Sequence, residues 1–178
     1  MLRRAPNLVF YRIEMSRATL SPVPRVQHSS LRSLCVINNG INNETESLLD
    51  GMTLPSTTSL SVYSILGVRG DSLIGLIRRS GAEAKIVDLD VSTDSAPTLI
   101  SLLSQLSALQ RFNLDQSVLK KEEIVAIVRA LKSSSVRQVS LTYKLASRGR
   151  VKLDSIVAGA LRELECEVRF GAGLKGKL

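Results

Sequence analysis

Residues 109–133 contain a complete strand-loop-helix unit, and this unit constrains the fold more than any other feature of the chain. Its first part alternates apolar residues at Phe112 and Leu114, which is typical of a short strand buried on one side. The part that follows predicts a helix with one apolar face, formed by Ile124, Ile127, Val128 and Leu131. A single strand packed on a single helix leaves part of the apolar surface of both exposed to water, so the unit requires neighbouring units to cover it.

Similar units precede and follow this one. With the last buried strand position of each unit as a marker, we predict units at Val36, Ile65, Leu89, Leu114, Leu141 and Val168. The steps between these markers are 29, 24, 25, 27 and 27 residues, which indicates an array. In the second unit, the sequence also permits Leu60 and Val62 as the buried pair.

The first unit carries the most specific pattern, Leu31-x-x-Leu34-x-Val36-x-x-Asn39-x-Ile41. It resembles the leucine-rich repeat, whose consensus is LxxLxLxxNxL, and the unit length resembles the ribonuclease-inhibitor-like class. The resemblance implies an α/β fold, a short right-handed solenoid with a parallel sheet on the concave side and helices on the convex side. It also implies that the side chain of Asn39 satisfies backbone groups in the turn after the strand.

The resemblance spans residues 31–170, which we interpret as a domain of about five repeats plus a closing strand. Several units depart from the consensus, because serine replaces the asparagine at Ser92 and Ser117. The alternative is an ordinary α/β domain of alternating strands and helices, which needs no fixed period.

Residues 1–30 form a separate basic segment, which we interpret as a presequence or arm. It is rich in Arg and Ser and contains one acidic residue, Glu14, a composition that predicts targeting to the mitochondrial matrix. A helix from about Leu2 to Leu20, ended by Pro22, fits part of its spacing. The alternative is a basic tail without a targeting role.

The net charge of +8 and the pI near 9.9 predict a polyanionic partner such as RNA. Positive charge is concentrated in the N-terminal segment, in the loop after the fifth strand and in a basic Gly/Lys tail, residues 171–178. The predicted RNA-contacting residues are Arg3, Arg4, Arg12, Arg17, Lys144, Arg148, Arg150, Lys152, Lys175 and Lys177.

Residues that flank the buried strand positions are expected to point to the concave face. The predicted protein-binding residues on that face are Asp88, Asp90, Asn113, Asp115, Ser140, Thr142 and Glu167. Its three aspartates favour a basic peptide as the ligand, and the same carboxylates would suit a divalent cation or acid/base chemistry.

The remaining reactive residues predict no catalytic site. His28 is the only histidine and is expected in a loop, so no Ser/His/Asp constellation is available in the repeats. Cys35 and Cys166 lie in the first and last units and are predicted to be free thiols, with no zinc-ligand spacing. We therefore predict neither a catalytic residue nor a cofactor, a metal or a small-molecule substrate.

Together these patterns predict a non-catalytic structural or assembly subunit of a large mitochondrial complex. The preferred complex is the mitochondrial ribosome, where basic arms and loops would contact rRNA and the repeat surface would contact neighbouring proteins. The alternative is an accessory or assembly subunit of the ATP synthase or of a respiratory complex, since the short repeats and presequence are similar to the mitochondrial coupling-factor B group. A matrix enzyme that uses Asp88, Asp90 and Asp115 is a third possibility. No apolar run is long enough to cross a membrane.

Overall fold

A computed structural model describes residues 5–15, 25–40, 44–64, 67–93, 95–115, 119–132, 135–142, 151–152, 155–164, 166–170 and 174–175. In chain order its elements are β1 (Phe10–Met15), β2 (Val26–Gln27), β3 (Ser33–Asn38), α1 (Glu44–Asp50), β4 (Met52–Thr53), β5 (Ser59–Ser64), α2 (Gly70–Ser80), β6 (Asp88–Ser92), α3 (Ala96–Leu103), β7 (Arg111–Asp115), α4 (Lys121–Leu131), β8 (Gln138–Thr142), β9 (Val151–Lys152), α5 (Ser155–Arg162), β10 (Glu167–Phe170) and β11 (Leu174–Lys175).

Seven strands form the main sheet, in the order β1-β3-β5-β6-β7-β8-β10. Every neighbouring pair is parallel, which confirms the predicted α/β class with a parallel sheet. The order in space follows the order in the chain. A doubly wound sheet reverses its strand order at a switch point, and the described strands of this sheet contain no such reversal.

The core lies between one face of the sheet and the helices. The strand register aligns two apolar rows across the central strands, one of Leu34, Leu60, Leu89, Phe112 and Val139 and one of Val36, Val62, Val91, Leu114 and Leu141. All ten side chains are 0–1% exposed and share a single cluster with the apolar residues of the helices. Each buried leucine or phenylalanine contributes about 1.5–3 kcal/mol of hydrophobic stabilisation.

The pairing corrects two predicted registers. In the second unit the buried pair is Leu60 and Val62, and Tyr63, predicted to be buried, is half-buried; Ile65 lies outside the described residues. In the third unit Leu89 and Val91 are the buried pair, so the predicted marker at Leu89 lies two residues too early. The third unit is shifted by two residues, which keeps the same face, and the second by three, which exchanges the faces, because a short apolar run fits more than one alternation.

The N-terminal segment also differs from expectation. Residues 10–15, predicted to be helical, form strand β1, which pairs with β3 from Phe10↔Ser33 to Met15↔Asn38. Tyr11, Ile13 and Met15 pack toward the core, so alternation and burial outweigh helical spacing here. The sheet therefore begins inside the segment predicted to be a presequence or arm.

His28 ties this first strand to the rest of the molecule. It lies in a connection between strands, as predicted, but only 4% of it is exposed. Its Nε2 donates to the carbonyl oxygen of Ala5 at 2.8 Å, and its backbone N–H donates to the carbonyl oxygen of Thr53. Nearby, β2 pairs with β4, so the segment is anchored on the helical side of the sheet as well.

At the ends of the strands, where backbone pairing stops, buried polar side chains form hydrogen bonds with the backbone. Asn38, not the predicted Asn39, performs the role expected from the repeat: it is 2% exposed and its Oδ1 accepts the backbone N–H of Gly40 at 2.8 Å. Asn39 is exposed and its side chain donates to Glu14. In the third unit the hydroxyl of Ser92 accepts the backbone N–H of Ser64 at 2.8 Å and donates to its carbonyl at 3.1 Å.

Candidate protein-binding face

The second face of the sheet carries polar side chains, because the residues between the buried ones point away from the helices. We call it the open face. Two rows of register-aligned residues cross it: Phe10, Ser33, Ser59, Asp88, Arg111, Gln138 and Glu167 in the first, and Arg12, Cys35, Ser61, Asp90, Asn113 and Ser140 in the second. Serine, amide and charged residues dominate both rows, so the surface offers many hydrogen-bonding groups.

A bidentate ion pair occupies the first row at its centre. The Nε and Nη2 atoms of Arg111 donate to the two carboxylate oxygens of Asp88. The pKa of Arg111 is raised above its usual value, chiefly by the hydrogen bond to Asp88 and then by the charge of that carboxylate. The arginine side chain is 62% exposed and the aspartate 25%, so solvent screening leaves such a pair worth about 0–1 kcal/mol. Its larger effect is to neutralise the negative charge that the sequence predicts here.

A second polar group lies beside this pair. The Nδ2 of Asn113 donates to Oδ1 of Asp90 at 2.7 Å and lies 3.5 Å from the hydroxyl of Tyr63. The Oδ1 of Asn113 is buried without a hydrogen-bond partner among the described residues. A buried carbonyl oxygen without a donor costs free energy, and because protein encloses this atom, the cost belongs to the local packing rather than to a contact offered to a ligand.

These two groups line a groove of about 440 Å³ on the open face. Its walls are formed by Ser61, Asp88, Leu89, Asp90, Arg111, Phe112, Asn113, Gln138 and Ser140. Carboxylates, amides, a hydroxyl pair and a guanidinium all face the same space. The groove can therefore hold an extended polar chain by matched hydrogen bonds rather than by apolar burial.

The predicted face residues fall into two groups. Asp88, Asp90, Asn113 and Ser140 line the groove, and Glu167 is exposed on the last strand of the sheet. Asp115 does not belong to the face, because it is 2% exposed. Thr142 occupies the register position beside it.

The placement of Asp115 has a physical reason. Leu114 and Asp115 are both buried, as are Val91 and Ser92 at the end of the neighbouring strand. The alternation of buried and exposed side chains therefore stops at the last residue of β7, although Asp115 is still paired with Ser92 and Thr142. The prediction that Asp115 joins an accessible acidic column is therefore wrong.

Sequence reasoning also missed Arg111, although the signal was available. Arg111 stands two residues before Asn113 in the same strand, so the period of two places both side chains on the same face. A residue at that position could be paired with Asp88 once the strands were aligned by their apolar rows.

The three aspartates do not form a common site. Asp88 is engaged by Arg111, Asp90 by Asn113, and Asp115 is buried at the strand end. Within the part of the chain that the structure describes, no group of three or more His, Cys, Asp and Glu side chains is placed to hold a metal ion.

Of the predicted RNA-contacting residues, three lie in described elements. Arg12 is exposed on β1 and forms an ion pair with Glu14 at 3.5 Å. Lys152 and Lys175 are register partners in the parallel pair of β9 and β11. The others lie outside the described residues: Arg3, Arg4, Arg17, Lys144, Arg148, Arg150 and Lys177.

The two cysteines are free thiols, which confirms the prediction. Cys35 lies in the second row of the open face, and Cys166 directly precedes β10. Burial raises the pKa of the Cys166 thiol, although a backbone hydrogen bond with Val139 acts in the opposite direction. The neutral thiol is the form favoured at this position.

None of the described helices is long and apolar enough to cross a lipid bilayer. Comparison of the chain with protein-family models, with curated proteins and with solved structures gave no match.

Proposed function

We propose that the chain forms a short leucine-rich-repeat arc with its sheet on the concave side and its helices on the convex side. Support comes from the sequential strand order and from one strand per unit. Register-matched positions at Val36, Val62, Val91, Leu114, Leu141 and Phe170 give steps of 26, 29, 23, 27 and 29 residues. These steps lie within the range of the class with a helix in every unit.

The first consensus position supports the same proposal. Three residues before the inner apolar positions of the first four units stand Leu31, Thr57, Ile86 and Leu109, all between 0% and 3% exposed, and Val136 of the fifth unit is half-buried. Thr57 replaces an aliphatic residue at this position, and its hydroxyl donates to the carbonyl oxygen of Leu31, the equivalent residue of the preceding unit. The column is thus continuous even where the sequence departs from leucine.

On this arc, the proposed role is that of a non-catalytic structural or assembly subunit which binds a neighbouring protein through the open face. The observation that carries the proposal is the groove, whose lining combines carboxylates, amides, hydroxyls and a guanidinium. Charge in the groove is mixed, because Arg111 stands beside Asp88 and Asp90. A polar extended segment with N–H donors is therefore a better match than a purely basic peptide.

The proposed setting is the mitochondrial matrix, and the preferred assembly is the mitochondrial ribosome. A net charge of +8 favours association with an anionic partner such as RNA. The register pairing of Lys152 with Lys175 places two predicted phosphate contacts on adjacent strands, about 4.8 Å apart in the backbone. Each cation that replaces a condensed counterion strengthens binding to RNA at low salt.

The assembly is tested by purifying the tagged full chain from mitochondria under mild conditions, with and without ribonuclease. We expect ribosomal subunits to co-purify and to be lost when rRNA is digested, because phosphate contacts supply part of the attachment. Co-purification of ATP synthase or respiratory-complex subunits, unaffected by ribonuclease, would support the alternative assembly. A purified complex without rRNA contradicts the ribosomal proposal.

The binding face is tested by filling the groove. Ser61→Arg combined with Ser140→Arg adds two long side chains at groove positions that are half-buried and polar. We expect at least a tenfold loss of the co-purified neighbour, since two obstructed contacts at an interface centre exceed about 1.4 kcal/mol. Ser104→Arg, on an exposed serine at the end of α3, is the matched control. Equal recovery of the neighbour by both variants would contradict binding at the open face.

A further inference from the structure

Strand β1 presents an edge that no other described strand pairs with. The carbonyl oxygen of Val9 accepts the N–H of Ser33 at 3.0 Å, and that of Met15 accepts the N–H of Asn39 at 2.9 Å. In a parallel ladder the residues whose backbone groups face the neighbour alternate along the strand. The odd-numbered residues of β1 therefore bond to β3, and the even-numbered ones, among them Arg12 and Glu14, direct their N–H and C=O groups outward.

This edge lacks the usual protection against further pairing. β1 has six residues and contains no proline, lysine or glycine. Val9 is 52% exposed and Phe10 is 56% exposed at its start. Natural edge strands are normally shortened, bulged or marked by charged side chains or proline, and in β1 the charges are one of each sign, Arg12 and Glu14, so a strand of matching charge order can still pair with it. At the opposite end of the sheet β10 is shorter, with four residues.

The charges on β1 are complementary to themselves. Arg12 and Glu14 lie on the same face, each side chain is 56% exposed, and the contact between them is 3.5 Å. If two copies of β1 met edge to edge in antiparallel orientation, with a twofold axis at Ile13, Arg12 of each would stand opposite the partner's Glu14. Both residues have outward-facing backbone groups, so each such pair would also exchange two backbone hydrogen bonds.

Other registers are less favourable. A shift of the axis by one residue toward the N-terminus places Arg12 opposite the partner's Arg12, and a shift toward the C-terminus places Glu14 opposite the partner's Glu14. Like charges directly opposite each other are destabilising, whereas opposite charges are stabilising. On the other face, the favoured register sets Ile13 against the partner's Ile13 and Tyr11 against the partner's Met15, which are apolar pairs.

We propose that β1 is a self-association edge. Two copies of this chain pair through their β1 strands in antiparallel orientation, which joins their seven-stranded sheets into one continuous sheet. The occupant is a second copy because the Arg12/Glu14 pattern matches its own reverse, whereas an unrelated strand would need the opposite pattern by coincidence. The closed twofold arrangement uses one edge of each copy and leaves β10 outside the junction. The open faces of both copies lie on the same side of the joined sheet near the junction.

The proposal is tested by sedimentation velocity of the full chain at about 1–100 µM, with circular dichroism to verify the fold. We expect a monomer–dimer equilibrium that shifts toward monomer as salt rises from about 50 to 500 mM, since exposed charge pairs are screened. Arg12→Glu alone and Glu14→Arg alone each place like charges opposite each other twice. Each is expected to weaken the dimer by about tenfold or more.

The decisive sample is the equimolar mixture of these two variants. In the proposed register the first carries two acids and the second two bases, so a heterodimer regains both charge pairs while each homodimer is repelled. The double variant Arg12→Glu/Glu14→Arg should likewise dimerise as the wild type does. Arg137→Glu, an exposed arginine next to a central strand, is the control and should not change association.

Three results overturn the proposal: a wild-type chain that stays monomeric over the whole concentration range, a dimer that tolerates either single reversal, or a mixture that fails to associate. If a single variant loses its fold, the salt dependence of the wild type and the double variant still decide the outcome. Because the readout is the mass of the isolated chain, failure here leaves the assembly proposed above untouched.

Discussion

Removing one hydroxyl, in Ser92→Ala, is expected to lower the free energy of unfolding by about 2–3 kcal/mol. Ser92 is 0% exposed, and its Oγ bonds both backbone groups of Ser64, accepting the N–H at 2.8 Å and donating to the carbonyl at 3.1 Å. The backbone carbonyl of Ser92 itself is used elsewhere, by the N–H of Val68. The Ser92 hydroxyl thus supplies hydrogen bonds to the backbone of Ser64 at the end of β5, beyond the last register pair of β5 and β6, Val62↔Val91.

The magnitude follows from what remains after the substitution. Alanine leaves the N–H of Ser64 without its acceptor in a buried position, which costs about 1–3 kcal/mol, and removes one donor from the carbonyl. The lost hydroxyl is too small to admit a replacing water without rearrangement of the packed turn. For a chain of 178 residues, the expected loss lowers Tm by roughly 5–10 °C.

The assay is urea unfolding followed by circular dichroism, with Ser64→Ala as the matched control. Ser64 is also buried, but the two bonds to Ser92 use its backbone, so that variant keeps both of them. Its cost should be at least about 1 kcal/mol smaller. Equal losses in the two variants would mean that the hydroxyl of Ser92 does not join the units, and the reasoning would be refuted.

Two further predictions concern a backbone conformation and a thiol. Gly81 ends α2 with φ +56°, and a Cβ there would meet no atom within 4 Å. Gly81→Ala should therefore lower the free energy of unfolding by about 1 kcal/mol through backbone strain alone. Gly159→Ala, inside α5, should raise it by about 0.5–1 kcal/mol. Chemical unfolding that changed the free energy in the same direction for both variants would contradict this expectation. In a Cys35→Ser variant, the rate at which iodoacetamide alkylates Cys166 should increase with pH. The midpoint of that increase should lie at a higher pH than for a thiol in a short peptide, because burial raises the pKa of Cys166. A midpoint at or below the ordinary thiol value would contradict that prediction.

Periodicity predicted the central units well, because both partners of an apolar alternation must face the helices. Phe112 and Leu114 were placed correctly by this rule and are 0–1% exposed. Residues 59–66 could not be placed in the same way, since Leu60, Val62 and Ile65 offer two buried pairs and the choice depends on the neighbouring strands. That information is long-range, and it appears only when Val62 is aligned with Val36 and Val91.

The candidate site was predicted in part for a similar reason. Asp88, Asp90 and Asn113 could be assigned to the open face because they alternate with buried residues in regular strands. Asp115 could not, because the alternation stops at the last residue of β7. The unpartnered Oδ1 of Asn113 depends on which atoms Asp90 and Tyr63 present to it, and no sequence pattern encodes that geometry.

The first strand places a physical limit on the proposed targeting role of the N-terminal segment. Tyr11, Ile13 and Met15 alternate with Arg12 and Glu14, a strand pattern that the Arg-rich composition obscured. Removal of a presequence that ended beyond Met15 would take β1 with it, together with its six register contacts to β3. The edge of β3 would then be open, and Leu34 and Val36, each 0% exposed, would lose the neighbouring row that shields them. A mature chain that keeps this fold must therefore retain residues 10–15, so a cleavage compatible with the sheet would lie before Phe10.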